Sequence, residues 1–493
     1  MGPVMFPWKS TFKLNDDINR PKYLQLTDLF IQEISAGRLV SGVKIPGTRK
    51  LSELLKLNRK TVINAYDELI SQGWLINKKS SGTFITDNLP VIKALPILAN
   101  SNFNEAFQSN SFNKLDFIPN YQNSKVKITF DGGAPDHRLA PLDWIYKECR
   151  SISRSQYQSQ ILKYADPLGE ISLRQALVAY LSESRGLNIT PENILITRGS
   201  QMGIFLGVNT LVNPGDTVVV GDSSYDATEW TITNRGGNIE RIEIEDDGIS
   251  IKKLEELCQR KSIKLVYITP HHHFPTTVTL SNKKRIELLN LSTKFGFNIL
   301  EDDYDYDFHY ASSPILPLAS LNSTGQIFYI GSFSKIFAPT IRVGYLIGSK
   351  EFIVNASKLR RIMDRQGDHI LQKAISESIK TGELSRHLKK SLIIYKNRRD
   401  IMARLLAEKL GSHIEFKIPE GGMAIWVKFK TLQILNLKEE LVKNGLSMDI
   451  DDDLAAKFNA VRIGFASVND QEILEGIEIL TRCVKKHASS ISS

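Results

Sequence analysis

Residues 326–335 read Gln-Ile-Phe-Tyr-Ile-Gly-Ser-Phe-Ser-Lys, an apolar run that ends on small residues, hydroxyls and Lys335. Its first four residues, 326–329, predict a short buried strand. Arg342 follows Lys335 seven positions later. A lysine at a strand end, beside hydroxyls and near an arginine, has the ingredients for a Schiff base next to a phosphate site. The stretch therefore predicts a strand that leads into a site able to form a Schiff base and bind a phosphate.

The chain on either side of this stretch alternates between compact β-rich segments and amphipathic helical patterns. Such alternation predicts an α/β fold with a mostly parallel sheet. Ligands bind at the carboxyl ends of the strands in such sheets, so the residues just after each predicted strand are the candidate site. The predicted strands are 194–197, 217–220, 265–268, 298–300 and 326–329, with helices at 173–184 and 283–295.

The first two predicted strands lead into residues that could hold a flat, phosphorylated ligand. After the first come Gly199, Ser200 and Gln201, a junction between strand and helix whose backbone N–H groups could bind a phosphate. Tyr225 follows the second strand and could stack on a planar ring. Each feature alone is more often ordinary structure, so the prediction depends on their occurring together.

An acidic stretch follows the fourth predicted strand: residues 301–307 read Glu-Asp-Asp-Tyr-Asp-Tyr-Asp. Carboxylates so close together are unfavourable unless they meet a cation. A period of two predicts that Asp303, Asp305 and Asp307 face one way and the tyrosines the other. A divalent-metal site is the alternative interpretation, but no second group of carboxylates supports it, and no metal is predicted.

The four junctions, in this order, resemble those of the fold-type I aminotransferases, which bind pyridoxal 5'-phosphate (PLP). The resemblance covers about residues 128–485. It implies that Lys335 carries PLP as a Schiff base and that Arg462 grips an amino-acid carboxylate, a task that suits a planar guanidinium. It further implies that Asp302 pairs with the pyridine nitrogen, that Tyr304 contacts the ring hydroxyl and that Tyr225 stacks on the ring. The residues implied at the phosphate are Ser200, Gln201, Ser332 and Arg342. Tyr164 is implied to reach the phosphate of a partner subunit, which implies a dimer.

One stretch departs from the pattern that this resemblance leads us to expect. Residues 269–277 contain three successive histidines, with His272-His273 where His-Gln is expected and Thr277 where glycine is expected. Three consecutive histidines cannot all face one way, so the triplet does not predict a zinc site. We expect His272 near the cofactor.

The first 90 residues carry 13 basic and 8 acidic side chains, so this fifth of the chain holds +5 of the net charge of +9. Apolar spacing predicts a helix over 22–37, a short helix capped by Thr48, and a third helix that ends near Gly73. Two predicted strands, 74–76 and 83–85, follow and are joined by a basic turn. This order is typical of a winged helix-turn-helix.

The outward residues of this segment are of kinds that read DNA. Arginine can read guanine, asparagine can read adenine, and threonine can contact a base edge or a phosphate. Arg59, Lys60, Thr61 and Asn64 lie at the start of the third helix, where a recognition helix meets the major groove. Residues 21–26, 37–39, 46–49, 58–62, 66–69 and 82–84 resemble the GntR-type winged-helix domain, which implies that Arg49, Arg59, Thr61 and Gly82 contact operator DNA.

These patterns divide the chain into three segments. A DNA-binding domain is expected at 15–87, an irregular asparagine-rich linker at 88–124, and an aminotransferase-like domain at 125–493. Within the last, we expect a large part at about 160–345 and a small part at about 350–493.

Other sequence features exclude or disfavour whole classes of protein. No run of ~18 apolar residues is present, which excludes a transmembrane helix, and residues 1–10 lack the pattern of a signal peptide. The three cysteines are far apart and predict neither a disulfide framework nor a metal cluster. A cytoplasmic location fits these features best.

A winged helix ahead of an aminotransferase-like body resembles the MocR/GabR family of bacterial transcriptional regulators. The resemblance implies a homodimer that binds double-stranded operator DNA and senses an amino compound, or PLP itself, through its PLP domain. Three alternatives stay open: a PLP-sensing regulator of vitamin B6 metabolism, a genuine aminotransferase with a DNA-binding appendage, and a body that binds no cofactor. The sequence does not decide whether transamination turns over.

Overall fold

The computed structural model describes residues 6–15, 20–78, 81–90, 126–155, 161–310, 315–321 and 325–491. Residues 91–124 of the predicted linker, and Lys79 and Ser80 of the predicted wing turn, lie outside the described residues. The chain forms two compact units, Met1–Asp116 and Phe117–Ser493.

The first unit is a helical cluster followed by a hairpin, as the winged-helix prediction requires. Its helices are Trp8–Thr11, Lys22–Ser35, Thr48–Leu55 and Arg59–Ser71, and its antiparallel strands are β1 Leu75–Lys78 and β2 Gly82–Ile85.

The core of the first unit is built from the apolar positions that the helical spacing predicts, with Leu26, Phe30 and Val62 fully buried. Phe12 packs on Phe30 with ring centroids 4.7 Å apart, so the packed unit begins before residue 15. The predicted cap on the second helix is wrong, because Gly47 precedes the helix and Thr48 is its first residue.

The second unit contains the large sheet and a smaller antiparallel one. Its strands within the described ranges are β3 Ile128–Phe130, β4 Ile194–Thr197, β5 Thr217–Gly221, β6 Asn238–Ile242, β7 Ile244–Glu245, β8 Gly248–Ile249, β9 Ile263–Ile268, β10 Asn298–Asp303, β11 Ile327–Ser332, β12 Gly344–Ile347, β13 Ile414–Phe416, β14 Ala424–Phe429, β15 Leu446–Met448 and β16 Ala460–Gly464. Its helices there are Leu142–Arg154, Ile171–Arg185, Ser200–Leu211, Asp226–Asn234, Ile251–Cys258, Asn282–Phe295, Lys350–Met363, His369–Lys380, Glu383–Leu410, Lys438–Lys443, Asp452–Phe458 and Asp470–Ile491.

The large sheet has the strand order β4-β12-β11-β10-β9-β5-β6. Its neighbouring strands are parallel except at β12, which runs antiparallel to both β11 and β4. The prediction of a mostly parallel α/β sheet is therefore confirmed. The smaller sheet has the order β13-β14-β16, and β3 pairs with β15, so the start of the second unit packs with its C-terminal part.

The central strands are buried on both faces, which is why they read as continuous apolar runs. Leu300 and Ile330 pack into the cluster on one face, while Ile299 and Ile327 pack on the other. Strands β10 and β11 run further than predicted, through Asp303 and Ser332. Ladder pairing holds these residues extended despite their weak strand preference. Among the described helices, none has the length and apolar character needed to cross a membrane.

Candidate functional site

The carboxyl ends of the large-sheet strands surround a cavity of about 220 Å³. Because β12 is antiparallel, its start at Gly344 brings Arg342 to the same edge as the ends of β4, β10 and β11. The predicted junctions therefore meet at one place. The predicted residues that line the cavity are Ser200, Gln201, Tyr225, Asp302, Tyr304, Ser332, Lys335, Arg342 and Arg462.

Lys335 provides a buried amine in this cavity. Its Nζ donates a hydrogen bond to the Gly133 carbonyl at 2.6 Å and lies 5.9 Å from the centroid of the Tyr304 ring. Burial, together with the positive charge of Arg462, lowers the pKa of Lys335. A depressed pKa increases the fraction of neutral amine, which is the nucleophilic form.

Asp302 presents a carboxylate oxygen that no described residue satisfies. Tyr267 donates a hydrogen bond to Oδ2 at 2.9 Å, whereas the buried Oδ1 has no partner among the described residues. Burial raises the pKa of Asp302 to about 7, and the charges of Asp303 and Asp305 add to the rise. Buried polar atoms are rarely left unpaired, so Oδ1 marks a position for a ligand N–H group.

One end of the cavity combines a helix N-terminus with a guanidinium. The helix Ser200–Leu211 begins after Gly199, whose φ is +78°. A Cβ at Gly199 would lie 3.0 Å from Nη1 of Arg342, so this close approach also requires glycine. Nη2 of Arg342 donates to the Arg198 carbonyl at 2.7 Å, which orients the guanidinium. Free helix N–H groups beside an arginine suit a phosphate.

Arg462 lies on β16, opposite Trp426 of β14, in the smaller sheet. Its Nη2 donates to the Tyr304 hydroxyl at 3.2 Å. The buried Nε and Nη1 atoms have no hydrogen-bond partner within the described part of the chain. A guanidinium with unsatisfied buried donors suits a carboxylate, which can accept two parallel bonds.

Two predicted cofactor residues lie outside the cavity lining. The ring of His272 is buried, with Nδ1 2.8 Å from Asp305, and it packs so closely on Gly421 that a Cβ there would clash. The imidazole does not line the cavity, but the His272 carbonyl accepts a bond from the cavity residue Tyr304 at 2.8 Å, and the position of His272 near a cofactor stays a prediction. Tyr164 is exposed, with Arg365 4.0 Å from its ring centroid, and its contact with a partner subunit stays a prediction.

The three consecutive histidines have separate partners, as expected for side chains that cannot all face one way. The ring of His271 is 2.9 Å from Asp303, and that of His273 is 2.9 Å from Thr276. The donor atoms of His271, Glu301 and Asp303 lie within 4.8 Å of one another. However, both carboxylate oxygens of Glu301 already accept backbone N–H bonds at 2.8 Å.

The acidic stretch does not keep one face as the period of two predicts. β10 ends at Asp303 and a turn follows, so each carboxylate after it meets a different partner. Asp305 pairs with His272, and Asp307 pairs with Arg185 at 2.8 Å. Asp307 thus gains a compensating charge from Arg185, whereas burial raises the pKa of Glu301 and of Asp302.

Arg185 is the centre of a buried network behind the cavity. Its side chain is 2% exposed and pairs with Asp307. Its Nε donates to the Tyr329 hydroxyl at 2.9 Å, and that hydroxyl donates to Asp303 at 2.8 Å. The Tyr306 ring lies 4.3 Å from the guanidinium carbon. Arg185 therefore stabilises two of the carboxylates at the end of β10.

Thr277 has a φ of +61°, the conformation for which glycine was expected at this turn. A β-branched residue in this region is strained by about 1–2 kcal/mol. Glycine would remove this strain, but the greater entropy of its unfolded chain would lower the stability by roughly 0.4–1 kcal/mol. We therefore expect Thr277→Gly to stabilise the protein by about 0.5 kcal/mol and to raise its melting temperature slightly.

Thr276→Gly is the matched control, because Thr276 lacks a positive φ and its hydroxyl pairs with His273. We expect this control to lower the melting temperature in differential scanning fluorimetry. A similar decrease in both variants would contradict the strain at Thr277.

The predicted DNA contacts lie on the first unit. Arg49 is exposed in the first turn of Thr48–Leu55, and Gly82 opposes Lys78 at the turn end of the hairpin. The other predicted contacts lie on the first two turns of Arg59–Ser71, namely Arg59, Lys60 and Asn64, which are exposed, and Thr61, which is half-buried.

Residues 127–480 match the family model described as aminotransferase class I and II. The chain belongs to this family. Residues 22–85 match a second model, that of the gntR family of bacterial regulatory proteins.

Relatives of this aminotransferase-family chain include transcriptional regulators matched over most of its length and a solved aminotransferase matched over about three quarters of it. It is 26% identical to an uncharacterized HTH-type transcriptional regulator, YdeL of Bacillus subtilis, over 95% of this chain and 97% of that one. It is 25% identical to the probable rhizopine catabolism regulatory protein MocR of Rhizobium meliloti, over 84% and 83%. The crystal structure of Pyrococcus horikoshii kynurenine aminotransferase aligns with a TM-score of 0.68 at 28% identity, over 74% of this chain and 92% of that one.

The sequence patterns do not single out several residues that line the cavity of this family member. Tyr267 lies inside an apolar strand and looked like a core residue, so nothing in its context signalled the bond to Asp302. Gly132 follows the short strand β3, and the run 131–133, Asp-Gly-Gly, is a turn signal that could have found it. The missed lining residues are Gly132, Tyr267, Phe274, Ser334 and Pro339.

Proposed function

We propose that this chain is a PLP-dependent transcriptional regulator of the bacterial cytoplasm. The first unit binds operator DNA, and the second unit holds PLP and senses an amino compound. The observation that carries the proposal is the meeting, in one cavity, of the buried Lys335 amine, the unpaired Asp302 oxygen and the unsatisfied donors of Arg462.

The cavity residues fit PLP at each of its functional groups. When bound, PLP supplies an electron-deficient ring that reacts with amines. Lys335 is the residue that would hold it, and Oδ1 of Asp302 would accept a hydrogen bond from the protonated ring nitrogen. Tyr225 would pack on the ring, and Tyr304 would contact its hydroxyl. The phosphate would be bound by Ser200, Gln201, Ser332 and Arg342.

The sensing part of the proposal is supported by the two sheets that contribute residues to the cavity. Lys335 follows the large sheet, whereas Arg462 belongs to the smaller one. An amino acid whose carboxylate binds Arg462 and whose amine reaches the Lys335 position therefore links the large and small parts. Such a ligand regulates DNA binding only if its affinity differs between the DNA-binding and non-binding arrangements. We extend the proposal to a homodimer, since helix-turn-helix readers use paired half-sites.

The test uses the full chain loaded with PLP and labelled DNA from upstream of its own gene. In fluorescence anisotropy, an amino compound should change the DNA affinity by about fivefold or more. The same compound should have no effect on Lys335→Ala. If the loaded protein binds DNA with an affinity that no amino compound alters, the sensor proposal fails. A response to PLP alone would instead support the vitamin B6 alternative.

A genuine aminotransferase is the second candidate, because the full set of groups needed to handle an amino acid lines the cavity. Incubation of the loaded protein with an amino acid and a keto acid distinguishes the two. Sustained formation of a new amino acid over many turnovers would support the enzyme. Conversion that stops at one equivalent per subunit would support the sensor.

Arg59→Ala should weaken operator binding by about 1–3 kcal/mol and relax the preference at one base position, because an arginine on a recognition helix reads a base edge. Lys60→Ala should weaken binding to all sequences and reduce the salt slope by about 1, as for a phosphate contact. Anisotropy titrations at several salt concentrations measure both effects.

Arg20→Ala serves as the control for these head variants, since Arg20 pairs with Asp28 and lies before the first long helix of the unit. Its operator affinity should stay within twofold of the wild type. Equal losses in Arg20→Ala and Arg59→Ala would contradict the placement of the recognition helix.

A further inference from the structure

The hydroxyl of Tyr267 binds the carboxylate at the end of β10. Tyr267 lies on β9 and is paired with Leu300 of β10, and Asp302 follows Leu300 by two residues. Side chains two residues apart on a strand lie on the same face of the sheet, and a long side chain can reach a diagonal neighbour on the adjacent strand. The Tyr267 hydroxyl therefore reaches Asp302 and donates a hydrogen bond to Oδ2 at 2.9 Å.

This hydrogen bond fixes the direction of the Asp302 carboxylate. Among the described residues, no other group donates to either of its oxygens. With Oδ2 bonded to Tyr267, Oδ1 is left as the oxygen that a ligand can use. Tyr267 and Asp302 both line the cavity, and each is only 3% exposed. Their burial strengthens the hydrogen bond, because water does not compete for it and the local dielectric constant is low.

The same hydrogen bond favours the charged form of Asp302. Burial raises the pKa of this carboxyl to about 7, the hydrogen bond from Tyr267 opposes the rise, and the charges of Asp303 and Asp305 add to it. Burial, together with the charge of Asp302, raises the pKa of Tyr267 well above its usual value, so the hydroxyl keeps its proton and remains a donor. Without this donor, the pKa of Asp302 would be higher still, and the carboxyl would be mostly neutral at pH 7.

We propose that Tyr267 is a positioning residue for the cofactor ring, which directs Oδ1 of Asp302 to the ring nitrogen and keeps the Asp302 carboxylate charged. This inference rests on the proposed function. A charged carboxylate leaves the shared proton on the ring nitrogen, whereas a neutral carboxyl keeps the proton and donates it as a hydrogen bond to that nitrogen. Removal of the Tyr267 hydroxyl therefore moves the shared proton from the ring nitrogen toward Asp302.

The test compares the affinity of the full chain for PLP with its affinity for the deaza analogue, in which a C–H group replaces the ring nitrogen. Equilibrium dialysis measures both affinities. Tyr267→Phe should reduce the preference for PLP over the analogue by about fivefold, the difference between a hydrogen bond to a charged group and one to a neutral group. A loss of packing alone would weaken the binding of both ligands equally and leave the preference unchanged.

The second readout is the nitrogen-15 NMR signal of PLP labelled at the ring nitrogen, whose chemical shift reports whether that nitrogen carries a proton. In Tyr267→Phe the signal should move toward that of a neutral pyridine. In an Asp302→Asn background, Tyr267→Phe should change neither the signal nor the preference further, because the charge that Tyr267 sustains is already absent.

Tyr395→Phe is the matched control. It removes the hydroxyl of another buried tyrosine, which accepts the Asp136 N–H at 2.9 Å and does not line the cavity. This variant should keep the wild-type preference for PLP and the wild-type nitrogen signal. If Tyr267→Phe does not fold, replacement of Tyr267 by fluorotyrosine gives an independent readout, since its more acidic hydroxyl is a stronger donor and should raise the preference.

A preference that stays at the wild-type value in Tyr267→Phe, or in the fluorotyrosine variant, would overturn the inference while leaving the proposed function intact. An equal loss of affinity for PLP and for the analogue would also overturn it, as would a nitrogen signal that does not move. If neither PLP nor the analogue binds the wild type, the proposed function fails, and the inference fails with it.

Discussion

On the proposed function, we expect Lys335→Ala to abolish covalent retention of PLP. Among the residues that line the cavity, Lys335 provides the amine, and its burial favours the neutral, nucleophilic form. Without it, the cofactor is held by its phosphate and ring contacts alone, and its affinity should fall by about 100-fold, equivalent to roughly 2.7 kcal/mol. Borohydride reduction followed by peptide mass spectrometry should find a pyridoxyl adduct on the peptide containing Lys335 in the wild type and none in the variant.

Lys350→Ala is the control for this experiment, because Lys350 is exposed at the start of the helix Lys350–Met363. It should retain the wild-type adduct and visible absorption. An adduct on a different lysine, or full retention of the cofactor by Lys335→Ala after dialysis, would refute the assignment.

Arg185→Met should lower the free energy of unfolding by about 3–5 kcal/mol, because it leaves buried carboxylates without their cation. Among the described residues, Asp307 would keep its hydrogen bond from Tyr180 alone, and the Tyr329 hydroxyl would lose the donor that orients it toward Asp303. Urea denaturation followed by circular dichroism measures the change.

Two further variants distinguish the effect of disrupting the Arg185 network from the effect of removing any arginine. Arg386→Met removes an exposed guanidinium that pairs with Glu383, and it should change stability by less than about 1 kcal/mol. Adding Asp307→Asn to Arg185→Met should recover part of the loss, since the unpaired buried charge is then absent. A decrease below about 1 kcal/mol in Arg185→Met would contradict the role of the network.

Several of the cavity residues could be predicted because they follow an apolar run with small or polar residues. Lys335 and Tyr225 are of this kind. The ends of the strands were placed too early, because Asp302 and Ser332 have weak strand preference and only ladder pairing keeps them extended. The winged helix could be predicted more completely, since its helices and hairpin depend on local spacing.

Other site features depend on contacts that are distant in sequence. The direction of the His272 ring is set by Asp305 and by close packing on Gly421, and neither contact leaves a sign near residue 272. The cavity residue Gly132 lies beside Asp449 only because β15 pairs with β3 across more than 300 residues. Local patterns carry no information about such pairings.

The reversed direction of β12 has a consequence for how Lys335 and Arg342 are spaced. Both lie in one short loop between adjacent antiparallel strands, and Phe333 N–H donates to the Val343 carbonyl at 2.9 Å to close that loop. Parallel neighbours would need a long crossover there. The amine and the guanidinium are therefore held by a single segment that is anchored at both ends, and shortening the loop by one residue would misplace both groups while leaving the ladder of β11 and β12 intact.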